Sequence, residues 1–261
     1  MDEAIDLSAL QDSIRDMLAQ ECPRELVVRH AQHGDGIDRE LWAKAVELGW
    51  TMISIPEADG GLGLGIDAVA LLHEEAGRVA APLPLLSCLL AVQSLADAAS
   101  PDQRARWLPR IAEGAIVATA APLGEATMSL EHGAGTITLT GTVADLLDGA
   151  NAELLLLVAA DADGTTHRVI LDVAADGVAI TRETLWDRGR SLAALTLDGL
   201  VLPADRAWPS SPQAEAALLD HAALALAADS VGGQQTVLDL TIDYLKTRQQ
   251  FGRPIGSFQA L

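Results

Sequence analysis

Between about Ile116 and Pro203 the chain changes its hydrophobic period, and beyond Pro203 it changes back. An amphipathic helix repeats its apolar residues at helical spacing, whereas a half-buried strand alternates them, so a change of period marks a change of architecture. Upstream, "LSALQDSIRDMLAQ" sets Leu7, Leu10, Ile14 and Leu18 on one helical face. Asp38 is placed to cap "IDRELWAKAVELGW" and Gly49 to end it. A further helix is expected over "AVALLHEEAGRVA", and Pro82 and Pro84 turn the chain into another through Leu85, Leu89, Val92 and Leu95. In "SPDQRARWLPRIAEG", Ser100 is the cap, Pro101 takes the first helical position and Gln103 completes a capping box, with Gly114 closing the helix.

The middle stretch reads instead as short strands with Gly/Asp turns: "TITLTGTV", "AELLLLVAA", "THRVILDV", "GVAIT" and "LAALTLDGLVL". Helix returns at "SSPQAEAALLDHAALALAADSVGG", with Ser211 as cap and Pro212 at the first position, and continues through "QQTVLDLTIDYLKT". The expected class is therefore α+β: a helical domain over 1–114, a central antiparallel β domain over 115–205, and a C-terminal helical region, expected to be incomplete, over 206–261. Val237, Leu238, Ile242 and Leu245 form an apolar stripe with too few partners in this chain. Further helices missing from an incomplete chain, or another polypeptide, are expected to cover it.

The chain has 17 basic and 37 acidic side chains among 261 residues, a formal net charge of −20. Like-charge repulsion argues against nucleic acid and anionic membrane surfaces as partners. The longest apolar run, "PLPLLSCLLAVQSLADAA", is broken by Pro82 and Pro84 and carries Gln93 and Asp97, so no membrane span is expected. The acidic N-terminus lacks a signal-peptide pattern. Cys22 and Cys88 match no metal or redox spacing and read as reduced thiols in a cytoplasmic protein, and no metal site is expected.

Against this acidic background the chain ends on "YLKTRQQFGRPIGSFQAL", Tyr244 to Leu261, which gathers arginines and glutamines around Phe251 and Phe258, the chain's two phenylalanines. Together with "LGWTMISIPEADGGLGLG", Leu48 to Gly65, it resembles the acyl-CoA dehydrogenase family, whose patterns are "Y…R.QFG.pig.fQ.i" and "G…iPeeyGGlGl". The resemblance runs the length of the chain. It implies a helical, then β, then helical-bundle fold, FAD as cofactor, and removal of the α and β hydrogens of an acyl-CoA thioester. It also implies a homo-oligomer or a heteromer with a second such subunit, and an electron-transfer flavoprotein as electron acceptor. By the family's pattern, Arg248, Gln250, Phe251 and Gln259 would contact the ADP half of FAD held by a neighbouring subunit. A guanidinium suits paired phosphates.

The departures are as informative. Where active members carry "TEp.aGSD", this chain reads "ATAAPLGEATMS": Pro122 and Gly124 are kept, but Ala120 and Ala121 replace the Thr-Glu pair. Where they carry "G.K.wIt", it reads "GTVADLLDGA": Gly141 is kept, and Asp145 and Leu147 take the tryptophan and threonine positions. The chain's own flavin-ring site is therefore expected to be lost. The catalytic base is unknown. One family position for it falls on Ala222 and Ala223, beside Asp220 and His221, and the other lies beyond Leu261. His221 reads as a partly exposed helix residue, Glu74 and Glu75 as solvent-facing, and His73 has no metal-spaced partner. The "IPEADGGLGLG" loop reads as structural, anchored by Ile53 and Ile55. The expected function is a dehydrogenase subunit giving trans contacts to a partner's FAD. The alternative is a scaffold that kept the fold without flavin chemistry.

Overall fold

The computed structural model describes residues 7–33, 36–119, 128–175 and 177–258. Six helices come first: α1 (Leu7–Glu21), α2 (Arg24–His33), α3 (Arg39–Glu47), α4 (Ile66–Val79), α5 (Leu85–Ala98) and α6 (Pro101–Ala112). Eight strands follow: β1 (Val117–Thr119), β2 (Met128–His132), β3 (Thr136–Leu147), β4 (Leu154–Ala160), β5 (Thr166–Asp172), β6 (Ala179–Arg182), β7 (Leu192–Pro203) and β8 (Ala207–Pro209). One helix of 36 residues, α7 (Pro212–Thr247), runs on into a two-stranded turn, β9 (Gln249–Gln250) and β10 (Arg253–Pro254).

The caps form as their residue types require. Asp38 accepts from the Leu41 N–H, the Ser100–Gln103 box closes in both directions, and Ser211 accepts from the Ala214 N–H. Gly49 and Gly114 take left-handed φ of 77° and 98° where their helices end.

The strands form one sheet in the order β6-β7-β3-β1-β4-β5-β8. The pairing is antiparallel except at two places. β1 runs parallel to one end of β4, and β2 runs parallel to the other. Strand propensity carries no direction, and a parallel neighbour requires a crossover, supplied to β1 by the whole β2–β3 excursion. β4 also explains why "AELLLLVAA" does not alternate. Leu155 and Leu157 face the interior of the β layer, while Leu154 and Leu156 pack with Trp107, Ile111 and Trp208 against the helices. A strand covered on both faces reads as a continuous apolar run.

Two of the contacts between α7 and the rest set its course. Near its start, Glu215 pairs with the buried guanidinium of Arg168 on β5, whose Nε donates to Oε1 at 2.9 Å, and Ser210 Oγ donates to the same carboxylate at 2.6 Å. Further along, α7 crosses α4 at two glycines. A Cβ added to Gly232 would lie 1.9 Å from the Glu74 carbonyl oxygen, and one added to Gly77 would lie 2.1 Å from that of Asp229. Past this crossing α7 leaves the body, and Val237, Leu238, Leu240 and Tyr244 are all more than half exposed.

Glu75 departs from expectation. Glu74 and Glu75 do point in different directions, but Glu75 is buried, accepting from Arg15 Nη2 at 2.6 Å and Gln11 Nε2 at 2.8 Å. A side chain one residue farther round α4 faces α1, and a buried carboxylate is tolerated there because two donors meet it. Burial opposes its charge, and the Arg15 and Gln11 hydrogen bonds outweigh that and hold its pKa below the ordinary value.

The crossing makes a prediction with an internal control. Alanine normally stabilises a helix relative to glycine by up to about 1 kcal/mol. Gly233→Ala, whose Cβ would meet the Gly77 carbonyl at an ordinary 3.5 Å, should follow that rule. Gly232→Ala should instead destabilise by about 3 kcal/mol through overpacking. Urea unfolding of the two variants tests this, and equal midpoints would refute a closed crossing.

Candidate functional site

A cavity of about 330 Å³ opens where α4, the start of α5, the C-terminal end of β3 and α7 meet. Its walls are largely aliphatic, with Leu83, Leu85, Leu147, Leu192 and Ala225 among them. Its polar groups are His73, Asp148, Asp187, Arg190 and Asp229. One wall comes from the α4–α7 pair, with Ala76 of α4 and Ala225, Leu226 and Asp229 of α7.

Two of the polar groups are buried and share their surroundings with apolar side chains. His73 Nδ1 lies 2.9 Å from the Val69 carbonyl, so Nδ1 carries the proton and donates. Nε2 is then an acceptor, buried without a hydrogen-bond partner among the described residues. Desolvation lowers the His73 pKa and keeps the ring neutral. Asp148 sits at a left-handed φ of 61°, its Oδ2 2.6 Å from Ser87 Oγ, which also lies 3.1 Å from the Pro84 carbonyl. Burial pushes its pKa from the ordinary 3.8 up to about 6, against the opposing pull of the Ser87 hydrogen bond and of Arg190. Ser87 has one hydroxyl proton. A protonated Asp148 can donate to Ser87 Oγ while Ser87 donates to Pro84, satisfying all three groups in a way the carboxylate cannot. At the cavity mouth, Arg190 Nη2 pairs with Asp229 at 3.1 Å.

The residues singled out in the sequence fall in several places. Leu147 lines the cavity and Gly141 sits at a bulge in β3, with φ 144°. Asp145 is exposed at φ 55°, at a second irregularity in the same strand. The stretch holding Ala120, Ala121, Pro122 and Gly124 lies outside the described residues, as does Gln259. His221 is half-buried and its Nδ1 lies 2.7 Å from the Ala217 carbonyl one turn back, the contact of an ordinary helix histidine. Ala222, Ala223 and the exposed Asp220 supply no base at the cavity. Asp148, Asp187 and Asp229 are the carboxylates that the fold brings there, and no spacing in the sequence announces them.

The terminal segment stands apart from the cavity. Arg248 caps α7 and is exposed, with no ion pair to another described residue. Gln250 pairs in register with Arg253, which leaves Phe251 and Gly252 as the tip, at φ 52° and 79°. Two successive positive φ values are those of a type I′ turn, at home with Asn-Gly or Gly-Gly and strained for an aromatic residue. Phe251 is also 92% exposed. Behind it, Arg253 stacks 4.1 Å over the Phe258 ring.

The buried carboxyl makes a pH prediction. The folded pKa of Asp148 lies above its ordinary value, so its contribution to stability is full below about pH 4 and is lost as pH rises through about 6. The displacement corresponds to roughly 3 kcal/mol. Asp148→Asn should therefore gain on the parent as pH rises from 4 to 8, by up to that amount in urea unfolding. A constant difference between variant and parent would show a solvated carboxylate.

Residues 6–115 match the family described as "Acyl-CoA dehydrogenase, N-terminal domain", and residues 212–261 match its "C-terminal domain". Acyl-CoA dehydrogenase FadE27 of Mycobacterium tuberculosis is 34% identical over 99% of this chain and 69% of its own length. Among solved structures, a "Tcur3481-Tcur3483 steroid ACAD G363A variant" superposes with a TM-score of 0.85 at 30% identity, covering 98% of this chain and 70% of that one. The ChsE4-ChsE5 complex from Mycobacterium tuberculosis gives 0.86 at 28%, covering 97% and 70%. The chain spans between 62% and 69% of the length of the first curated relatives it matches. With both family segments in place on either side of the sheet, the chain belongs to the acyl-CoA dehydrogenase family.

Proposed function

We propose that this chain is one subunit of a heteromeric acyl-CoA dehydrogenase, and that it holds part of the FAD bound chiefly by a homologous partner. Phe251 carries the reading. An aromatic side chain held at left-handed φ costs roughly 1–2 kcal/mol, and this one then projects almost wholly into solvent. Strain combined with exposure supports a role outside this subunit. Arg248 at the end of α7, Gln250 in β9 and Gly252 at the tip lie within four residues of one another, so an arginine fork, an amide and a backbone open to close approach are gathered in one short segment with the ring. Those groups suit a pyrophosphate and its ribose. Gln259 belongs to the same proposed set by sequence.

The chain's own cavity fits the flavin ring poorly. FAD, when bound, supplies the oxidant that takes up the β hydrogen as hydride, and with it negative charge. Here Asp187 and Asp229 line the wall with a single arginine that Asp229 already engages, beside the buried Asp148, whose own charge is already disfavoured. Such a wall disfavours further negative charge. The adenosine end of FAD therefore suits this chain and the ring end suits a partner, where the proton-abstracting carboxylate is also to be sought. The Tcur3481-Tcur3483 steroid ACAD and the ChsE4-ChsE5 complex each pair two proteins, and they support a bulky acyl-CoA such as a steroid side chain as substrate. An electron-transfer flavoprotein would receive the electrons.

The test uses the assembly purified on a tag on this chain. A yellow complex containing a second homologous subunit is expected. Arg248→Ala should leave the complex assembled but weaken flavin retention roughly 30-fold, the loss of about 2 kcal/mol from a charged hydrogen bond. Phe251→Ala should act in the same direction. A colourless complex, or unchanged flavin in both variants, would leave this chain a scaffold that kept the fold without the chemistry.

A further inference from the structure

Three side chains that no motif connects meet at one rim of the sheet. His132 ends β2, Asp161 follows β4 directly, and His167 lies in β5. His167 Nε2 is 2.9 Å from Asp161 Oδ2, and His132 Nε2 is 3.7 Å from the same oxygen. One ligand atom of each residue lies within 4.8 Å of the other two. The two rings meet edge to face, with centroids 5.3 Å apart.

The sheet sets this placement. β4 lies between the other two strands, with Ala160 in register with Ser129 on one side and Ala159 with His167 on the other. Asp161 Oδ1 accepts from the backbone N–H groups of Asp163 and Thr165 at 3.0 and 2.9 Å, which fixes the carboxylate and leaves Oδ2 to the histidines. A hydrogen-bonded His–Asp pair needs only one imidazole. The second, at 3.7 Å, is beyond hydrogen-bond range but near the spacing of two ligands on one ion. Metal–ligand bonds of about 2.0–2.1 Å at tetrahedral angles put neighbouring donor atoms about 3.3 Å apart. A chain of net charge −20 adds a field that favours a cation.

We propose that His132, Asp161 and His167 bind one divalent transition-metal ion through Nε2, Oδ2 and Nε2, with zinc the best match. Two imidazoles and a carboxylate suit zinc, whereas magnesium and calcium prefer oxygen alone. The His132 side chain is 57% exposed, which leaves an entry path and room for water as the fourth ligand. The ion acts as a clip. Among the described residues β2 and β4 share the pairs Met128–Ala159 and Ser129–Ala160 alone, and the metal joins the end of β2 to the β4–β5 turn. This inference is independent of the flavin arrangement.

The test strips the native assembly with a chelator, then titrates it with Zn²⁺ by calorimetry and with Co²⁺ by visible absorption. The expected result is one Zn²⁺ per copy of this chain, with a Kd of about micromolar or below, and the Co²⁺ bands of a four-coordinate ion. Zn²⁺ should also raise the unfolding temperature. His132→Ala removes an exposed side chain, and unchanged circular dichroism and flavin content would show the fold intact. It should weaken Zn²⁺ binding roughly 100-fold and abolish the thermal shift. Absence of saturable uptake below about millimolar Zn²⁺, or uptake that His132→Ala leaves unchanged, would overturn the site.

Discussion

The close crossing of α4 and α7 at Gly77 and Gly232 governs the rest of the molecule. Neither position can carry a side chain, since a Cβ on either would lie near 2 Å from a carbonyl of the opposing helix. That contact fixes the angle at which the long helix leaves the body. Around it, the Thr236 hydroxyl donates to the Arg78 carbonyl at 2.8 Å and Arg78 Nη2 lies 3.5 Å from Asp239, so backbone and charge both hold the crossing. At the other end of the helix, Arg168 and Glu215 bind it to β5. One rigid element is thereby pinned twice, and everything beyond the second pin is carried outward. The strained, exposed turn at Phe251 is the end of that lever.

The same helix pair shapes the cavity, and the carboxylates there and nearby show how environment divides one chemistry into two states. Glu75 is buried on the α1 side of α4, where Arg15 and Gln11 donate to it, and its charge is stabilised. Asp148 is buried facing the cavity with a single hydroxyl beside it, and its charge is disfavoured. The difference lies both in the stronger desolvation of Asp148 and in the number of donors that meet each carboxylate. An anion-accepting cofactor ring gains nothing from the second environment.

Local rules made much of the fold legible. The caps at Asp38, Ser100 and Ser211 and the change of period at Ile116 depend on residues within a few positions of one another, and so did the two segments that carried the family resemblance. Features set by distant partners were not legible in that way. Glu75 read as solvent-facing because nothing near it in sequence announces Arg15, which is 60 residues away. The three-residue strands β1 and β8 are too brief to show alternation, and they form because longer strands are already beside them. The parallel registers of β1 and β2 likewise depend on connections rather than on composition.

The sequence by itself determined the order of helical and β segments, the helix ends, the acidic character of the chain and the placing of a basic, aromatic turn at its end. These follow from spacing and residue type, which act over one or two turns of chain. Tertiary structure alone decided which glycines are obligatory, which carboxylates are buried and with what partners, and that His132, Asp161 and His167 converge. Those outcomes depend on strand register and helix crossing. Both are set by long-range packing, in which each side chain's environment is supplied by residues far from it in the chain.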